Sequence, residues 1–272
     1  MYLCTRPLYL SFVDMKRPVK RLLLALAIIL ILGLALAFYS FVSNPWGATS
    51  IGSIPAPAGF KREAAAPGSY SEFIRSIPLQ KRGAPVLLYK GGKANFQFLS
   101  TGVVDWPLIS NDEQCADVTM RIRAEYFYKT GQYSKIVFKD SGGKQFTYKG
   151  GASRKSFESY LRTVYGNCYT GSVYKETRPR AIKDVKPGDV LVYPARKGHK
   201  YGHAVLVADV ARSRSGKVAI MCIEGNTPAR SIHVLRNPLN PFRNPWFVLN
   251  GDEEVIRAVP FTFHKDELRY YQ

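Results

Sequence analysis

A run of uncharged, mostly apolar residues near the N-terminus constrains the fold of this chain more than any other feature. It reads LLLALAIILILGLALAFYSFV, from Leu22 to Val42, and the next charged residue is Lys61. A helix of this length crosses the hydrocarbon core of a bilayer. Five basic residues precede the run and none follows it directly, which favours a cytoplasmic N-terminus. The sequence therefore predicts one membrane-spanning helix that places the rest of the chain on the far side of the membrane.

Two interpretations of this segment remain open. It is either a retained anchor or a signal peptide that is cleaved near Ala35 to Ala37. Met15 begins a second signal-like sequence, MKRPVKRLLLALA. The length of the apolar run favours the anchor. Under both interpretations the remaining chain works outside the cytoplasm, so nucleic acid is not an expected partner.

The chain divides into segments by composition. Residues 1–21 form a basic cytoplasmic N-terminus, residues 22–42 the membrane segment, and residues 43–58 a linker rich in Pro, Gly, Ser and Ala. Residues 59–250 have the pattern of one globular domain, and residues 251–272 form a charged and aromatic tail. Helices come first in the domain and a series of strands follows, which predicts an α+β fold with helices packed on one antiparallel sheet.

Local patterns predict the elements of this domain. SYSEFIRSI, from Ser69 to Ile77, reads as a short helix. Residues 85–91 and 94–106 read as strands joined by a Gly-Gly turn. A longer helix is predicted from about Asp112 to Lys129. In it Arg121 and Glu125 are spaced as an i,i+4 pair, either beside a site or, as we expect, on the solvated face.

The charge of the chain is strongly positive. Lysine and arginine outnumber the acidic residues 39 to 20, which gives a net charge of +19. This excess favours anionic partners, such as anionic lipid or an acidic polymer of the cell envelope. The alternative is that the basic side chains form only a solvated surface. No motif in the sequence implies a cofactor.

Cys115 lies near the start of the longer helix, in the stretch SNDEQCADVTMRIRAEYFY. Ser110 or Asn111 can cap this helix, with Glu113 or Gln114 completing a capping box. The positive end of a helix dipole stabilises a thiolate. Cys115 is therefore a candidate nucleophile, and the alternative is a small buried core residue.

A histidine opens one of the later predicted strands. His203 follows Gly202 directly, and alternation along the strand places His203, Val205, Val207 and Asp209 on one face of the sheet. A histidine at the mouth of a strand is well placed to meet the start of a helix packed on the same sheet. His203 is therefore a candidate general base for a cysteine nucleophile.

The next predicted strand, KVAIMCIEGN, carries Glu224, with Asn226 just beyond it. A carboxylate or amide on a neighbouring strand is the group that orients the imidazole in a catalytic triad. Cys115, His203 and Glu224 are therefore the candidate catalytic residues.

The order of these residues resembles that of the papain-like NlpC and CHAP cysteine hydrolases, over roughly residues 111–226. The resemblance implies a papain-like antiparallel sheet with helices packed on it. It also implies cleavage of a cell-wall peptide or amide, with Cys115 as nucleophile, His203 as base and Glu224 as orienting group. By analogy Gln114 supplies an oxyanion donor, and Asn226 is a second binding or oxyanion residue.

This sequence also departs from the NlpC pattern. Small residues usually follow the cysteine there, whereas Ala116 and the charged Asp117 follow it here. The separation between Cys115 and His203 is longer than usual, and a glutamine adjacent to the cysteine is not the usual spacing of the papain-like oxyanion donor.

A second resemblance covers more of the chain. QCADVTMRIRAEYFY, GDVLVYPARKGHKYGHAVLVADVA and IHVLRNP resemble a bacterial envelope family catalogued as domain of unknown function number 4846, over most of Gly59 to Phe247. The resemblance implies one exported domain and suggests that Cys115 and His203 belong to the family's motifs. The family carries no known activity. The N-terminal run predicts that the domain is tethered to the inner membrane with a cytoplasmic N-terminus, or secreted after cleavage. The NlpC and CHAP resemblance implies peptidoglycan as a partner, and the positive charge favours this or another anionic envelope polymer.

Other readings of the site stay open. The same domain can bind glycan or another anionic envelope polymer without catalysis, because fold analogy does not separate an enzyme from a binding descendant. Cys115, His203 and Glu224 can also converge on zinc. His199 lies four residues before His203, but in a predicted loop rather than on a helix face.

The remaining cysteines and histidines give weaker indications of a functional role. The exported part has three cysteines, so at least one stays unpaired within the chain. A Cys115–Cys168 bridge and a Cys168–Cys222 bridge are both open. His233 reads as an ordinary surface or core residue.

Overall fold

A computed structural model of the chain describes residues 16–196 and 200–272, without the side chains of residues 36–41. The chain divides into two compact units, Met1–Phe41 and Val42–Gln272. The described part of the first unit is helix α1 (Arg17–Phe41). Its segment Arg17–Ala35 is long and apolar enough to span a membrane, a test that a signal sequence near the N-terminus also passes. The apolar helix is thus confirmed, whereas its orientation in a membrane stays a prediction. Met15 and most of the basic N-terminus lie outside the described residues.

The second unit contains four more helices among the described residues. They are α2 (Tyr70–Ser76), α3 (Cys115–Lys129), α4 (Arg154–Tyr165) and α5 (Thr170–Glu176). Helix α2 has the expected cap, because the side chain of Ser69 accepts a hydrogen bond from the backbone N–H of Glu72. Helix α5 was missed in the sequence, where its seven residues contain a glycine and only one strongly apolar position, Val173.

The strands of the second unit are short apart from two. They are β1 (Phe60–Arg62), β2 (Ser100–Val103), β3 (Val137–Lys139), β4 (Gln145–Thr147), β5 (Thr177–Pro179), β6 (Val190–Tyr193), β7 (His203–Ser213), β8 (Val218–Glu224), β9 (His233–Leu235), β10 (Trp246–Leu249), β11 (Val255–Ala258), β12 (Phe261–His264) and β13 (Leu268–Tyr271).

One large antiparallel sheet organises this unit. Its strand order is β2-β9-β8-β7-β6-β13-β5, with β1 also pairing with β7 and β10 with β8. Two separate hairpins, β3-β4 and β11-β12, complete the strands. The predicted α+β class with an antiparallel sheet is confirmed. The longest strands, β7 and β8, lie at the centre and carry the ends at which His203 and Glu224 are found.

Each face of the sheet has its own core. Along β7, Ala204, Leu206 and Ala208 pack in the core shared with helices α2 to α5. Val205 and Val207 point the other way, into a smaller core closed by the β11-β12 hairpin. All five are fully buried, and burying one aliphatic side chain contributes roughly 1.5–3 kcal/mol. This two-sided burial holds β7 at a fixed position below helix α3.

The predicted alternation along β7 is wrong beyond Val207. A β-bulge between Val207 and Asp209 shifts the register against β8. After it Val210 belongs to the smaller core and Ala211 to the helix-side core. Asp209 therefore does not share a face with His203. Its carboxylate lies against two guanidinium groups, 2.5 Å from Nε of Arg62 and 2.7 Å from Arg75.

Asp209→Ala is expected to destabilise the fold by about 3–5 kcal/mol, because it leaves two largely buried guanidinium groups without their carboxylate. Chemical denaturation of the full chain in mild detergent measures this loss. Asp105→Ala, at an exposed aspartate, is the matched control and is expected to change stability by no more than about 0.5 kcal/mol. Equal midpoints for the two variants would contradict a structural role for the ion pairs.

Two predicted boundaries do not correspond to boundaries in the structure. The expected linker at residues 43–58 packs into the second unit, where Ile51 and Ile54 are fully buried. The expected tail at residues 251–272 contains β11, β12 and β13, and β13 pairs with β5 and β6 in the main sheet. Composition predicted the wrong boundaries for two reasons. Pro and Gly, which suggested a linker, also occur in ordered turns. A short strand at the edge of a sheet needs few apolar residues, so a charged segment can contain one.

Other predicted elements also differ. Residues 85–91 form only isolated bridges, Leu87 with Lys93 and Leu88 with Arg230. Of the second predicted strand, Ser100–Val103 forms β2, and Val104 adds an isolated bridge to Leu79. The Arg121–Glu125 pair exists, at 3.4 Å, but it is buried rather than solvated, because Arg121 also pairs with the buried Glu113 at 2.6 Å.

Candidate functional site

Cys115 is the first residue of helix α3. The N-cap is Gln114, whose backbone N–H donates to Oδ2 of Asp117 at 2.9 Å. The predicted start near Asp112 was three residues early, because Glu113 turns into the core, where it accepts the backbone N–H of Ile109 and pairs with Arg121. The thiol therefore lies in the first turn, where backbone N–H groups lack helical acceptors and favour a negative charge.

His203 is positioned by the residues around Gly202. Tyr193, at the end of β6, pairs with His203 at the start of β7. A Cβ atom at position 202 would overlap the side chain of Thr170, from helix α5, and would come within 2.5 Å of the carbonyl oxygen of Tyr193. Only glycine fits there. The close approach brings the starts of α5 and β7 together beside Cys115.

His203 lies beside both other members of the predicted constellation. Its Nε2 lies 2.7 Å from Oε2 of Glu224, and both side chains are buried. The ring and Cys115 line the same cavity, and the thiol lies close enough to raise the pKa of His203. Because Nε2 faces the carboxylate, Nδ1 is the ring nitrogen that remains for the thiol. The ring of Phe261 stacks on the imidazole at 3.6 Å between centroids and 22° between planes, which restricts its rotation.

The electrostatics of the pair favour its charged form. Burial raises the pKa of Glu224, but hydrogen bonds from His203 and His233 outweigh this and lower it to about 2. Burial lowers the pKa of His203, but the neighbouring Cys115 and Glu224 outweigh this and raise it to about 9. At neutral pH the carboxylate is ionised and the imidazole is protonated, so the thiol faces a positive charge.

His233 is a further member of the site that the sequence did not indicate. It lies on β9 directly opposite Glu224, with Nε2 at 3.3 Å from Oε1 of Glu224 and Nδ1 at 2.9 Å from the carbonyl oxygen of Ser231. Both nitrogens face acceptors, so both donate only when the ring is protonated. Glu224 is thus shared by two histidines. The register of β9 against β8 is needed to see this, and no local pattern carries it.

The two predicted oxyanion residues have different surroundings. The side-chain oxygen of Gln114 accepts a hydrogen bond from the Thr227 hydroxyl at 2.7 Å, which leaves the amide nitrogen as its available donor. The amide nitrogen of Asn226 donates to Oε1 of Glu224 at 3.3 Å, and its oxygen accepts the backbone N–H of Thr227. Gln114 therefore remains a candidate donor, whereas the contacts of Asn226 make it a support for Glu224.

Gly225 joins the carboxylate to the helix that carries the thiol. A Cβ atom at this position would lie 2.6 Å from Cγ2 of Val118 and 3.2 Å from the carbonyl oxygen of Gln114. The end of β8 thus passes in direct contact with the first turn of α3. This contact sets the separation between Glu224, at the end of the strand, and Cys115, at the start of the helix.

A cavity of about 790 Å³ opens above these residues. Its volume lies within the usual range for small-molecule sites, roughly 300–1,000 Å³. Aromatic rings contribute much of its wall, and two of them, Tyr169 and Tyr201, are 60% and 74% exposed. The lining includes Gln114, Cys115, Asp117, Tyr169, Thr170, Tyr193, Lys200, Tyr201, His203, Asn226, Thr227 and Phe261.

The other cysteines are not candidates for this chemistry. Cys115, Cys168 and Cys222 are all free thiols, so neither of the two bridges left open by the sequence is formed. Burial raises the pKa of Cys168 to about 12 and raises that of Cys222 further. Both thiols therefore stay protonated and unreactive at neutral pH.

The arrangement of these side chains does not support a zinc site. Nε2 of His203 and Oε2 of Glu224 lie within direct hydrogen-bonding distance, which leaves no space for a metal ion between them. In the described ranges, 16–196 and 200–272, no group of three His, Cys, Asp or Glu side chains is arranged to hold a metal. His199 lies outside those ranges.

Comparison with known proteins identifies the family. A family model described as Domain of unknown function (4846) matches residues 52–152 and 148–270, which together cover most of the chain. The chain belongs to this family. The match begins inside the predicted linker and extends into the predicted tail, in agreement with the packing of both segments in the second unit of this family member. No curated protein and no solved structure matches the chain.

The stability of this family member is expected to fall between pH 6.5 and about 9 because of His203. The unfolded histidine loses its proton near pH 6.5, whereas the folded one keeps it up to about pH 9. The native state therefore binds more protons in this window, and stability decreases as pH rises through it, by on the order of 1–3 kcal/mol. Urea unfolding at pH 6, 7.5 and 9 measures the slope, which is expected to be shallower in His203→Gln. Parallel slopes in the two proteins would contradict the raised pKa.

Proposed function

We propose that this protein is a cysteine hydrolase of the cell envelope that cleaves an amide bond in a cell-wall peptide. One observation carries the proposal. A single histidine lies 2.7 Å from a buried carboxylate on the neighbouring strand and lines the same cavity as a thiol at the first turn of a helix. This is the relation among nucleophile, base and orienting group that nucleophilic catalysis requires. A papain-like arrangement of helix and sheet is the finer fold assignment that we propose with it.

In this mechanism the Cys115 thiolate attacks the carbonyl carbon of the scissile amide. Backbone N–H groups at the start of α3, with the amide of Gln114, stabilise the oxyanion. His203 then gives its proton to the leaving amine as the C–N bond breaks, and an acyl thioester remains on Cys115. Water attacks the thioester, His203 accepts the proton of that water, and the thiolate leaves. Glu224 holds the imidazole through both steps.

The surroundings of the cavity support a peptide as substrate. Its wall combines exposed tyrosine rings with amide and hydroxyl groups from Gln114, Asn226 and Thr227, which suits an extended chain with alternating apolar and polar groups. The predicted export of the domain places it where cell-wall peptides occur. The membrane helix α1 would hold the enzyme near its polymer, with the N-terminus in the cytoplasm and the domain in the periplasm.

The proposal is tested by incubating the full chain with purified peptidoglycan and its isolated stem peptides, and by analysing the products by mass spectrometry. We expect peptide fragments from the wild type and none above background from Cys115→Ser. The wild type is also expected to carry a transient acyl group on Cys115 that hydroxylamine releases. Cys168→Ser, which removes a buried thiol outside the cavity, is the control and is expected to retain activity.

Absence of both products and acyl-enzyme in the folded wild type would overturn the hydrolase. The second candidate would then be a module that binds an envelope polymer through the cavity without cleaving it. One observation favours that candidate: Cys115 is only 8% exposed, whereas Tyr169 and Tyr201 present open stacking surfaces. Cosedimentation with peptidoglycan that is lost in Tyr201→Ala but unchanged in Cys115→Ser would support it.

A further inference from the structure

We propose that a second cavity, formed around Arg123, binds a phosphate group. This Arg123 cavity has a volume of about 720 Å³ and shares no lining residue with the cavity above Cys115. It lies along the later part of α3, the β3-β4 hairpin and the last residues of β13. Its cations are Arg123, Lys135, Lys139 and Lys175. The proposal does not depend on hydrolysis at Cys115.

Arg123 differs from the neighbouring arginine of the same helix. Arg121 is buried and paired with Glu113 and Glu125. The guanidinium of Arg123 instead lies over two aromatic rings, at 4.8 Å from the centroid of Phe127 and 4.6 Å from that of Tyr271. In the part of the chain that the structure describes, no carboxylate forms an ion pair with it. Its planar fork of N–H donors is therefore oriented by the rings and open to an oxyanion.

Three lysines add to this charge. Lys135, Lys139 and Lys175 are all exposed. Nζ of Lys175 donates to the carbonyl oxygen of Ser141 at 2.7 Å, which holds its ammonium at the β3-β4 turn on the rim of the cavity. An arginine fork with several ammonium groups around it matches a group that carries more than one negative charge, such as phosphate, better than a single carboxylate.

Two side-chain carboxyl groups, those of Asp140 and Glu176, also line the cavity, against its four basic side chains. Oδ1 of Asp140 accepts the backbone N–H groups of Gly142 and Lys144, at 2.8 and 2.9 Å, and so holds the turn. Burial raises the pKa of Glu176, and the charges of Lys139 and Arg123 oppose this only in part.

The test is a calorimetric titration of the full chain in mild detergent with inorganic pyrophosphate and, separately, with a glycerol phosphate diester, at constant ionic strength. We expect saturable binding of at least one probe. Binding of pyrophosphate but not of the diester would identify a phosphorylated small molecule as the ligand class. Binding of the diester would identify a phosphodiester polymer. Arg123→Gln is expected to weaken the affinity at least about tenfold, as loss of a charge-assisted fork requires.

Matched variants keep the test decisive. Lys139→Gln removes an exposed charge at the cavity and is expected to weaken binding about threefold, without the risk to folding that Arg123→Gln carries. Arg214→Gln removes the same charge in the exposed β7-β8 turn and is expected to bind like the wild type. Cys115→Ser is also expected to bind like the wild type, which separates this site from the hydrolase. No saturable binding of either probe, or equal losses in Lys139→Gln and Arg214→Gln, would overturn the proposal.

Discussion

Replacing His203 with alanine is expected to slow the alkylation of Cys115 by iodoacetamide at least about tenfold at pH 6. In the wild type the imidazole keeps its proton up to about pH 9, so a positive charge faces the sulfur of Cys115. That charge stabilises the negative charge that the sulfur carries when it attacks the reagent. The alanine side chain supplies no such charge.

The experiment contains its own controls. Mass spectrometry assigns the alkylated site, and Cys168 and Cys222, which are fully buried, are expected to react only after denaturation. His264→Gln removes an exposed histidine and is expected to leave the wild-type rate unchanged. If wild type and His203→Ala reacted at the same rate at pH 6, His203 would not activate the thiol, and the proposed mechanism would lose its base.

Gly225→Ala is expected to lower the rate of Cys115 alkylation at pH 6, and any hydrolytic activity, by about 100-fold, although it adds a single methyl group. The new Cβ atom would lie 2.6 Å from Val118, so the end of β8 and the first turn of α3 must move apart. Displacing a catalytic group by about 1 Å costs a factor of this size. Overpacking is also expected to lower stability by about 1–3 kcal/mol.

Gly166→Ala is the control for this substitution. Gly166 has a φ of −75°, and a Cβ atom there would meet nothing closer than 3.7 Å. We expect wild-type reactivity and stability from it. The two effects of Gly225→Ala are separated by measuring reactivity well below the unfolding transition. A folded Gly225→Ala protein with wild-type alkylation kinetics would show that the contact between β8 and α3 does not set the geometry of the site.

Part of the site could be predicted from the sequence because its signals are local. Cys115 follows polar residues at the start of an amphipathic pattern, and His203 opens a long run of alternating apolar residues after a glycine. Glu224 ends the next such run. Each of these patterns marks the end of one helix or strand. Ends that lie at the same edge of the sheet come close together in the fold. The structure brings His203 into contact with Glu224 and places Cys115 in the lining of the same cavity as His203, while their catalytic role stays a proposal.

Other features could not be predicted, because they depend on the partner strand or helix. Helix α3 begins at Cys115 rather than at the predicted Asp112, because the side chain of Glu113 pairs with the buried Arg121, eight residues later. Asp209 lies on the opposite face of the sheet from the predicted one, because a β-bulge separates it from Val207. A bulge has no sequence signature on its own strand, and a one-residue shift exchanges the two faces of everything that follows.

The sequence by itself determined the apolar N-terminal helix, the α+β class, the excess of positive charge and the order of Cys115, His203 and Glu224 along the chain. These properties follow from composition and from short-range periodicity. Only the tertiary structure decided that His233 shares the carboxylate of Glu224, that Arg121 pairs with two glutamates whereas Arg123 lies over two aromatic rings, and that residues 43–58 and 251–272 belong to the folded unit. These properties depend on strand register and on packing between segments far apart in sequence, which no local pattern encodes.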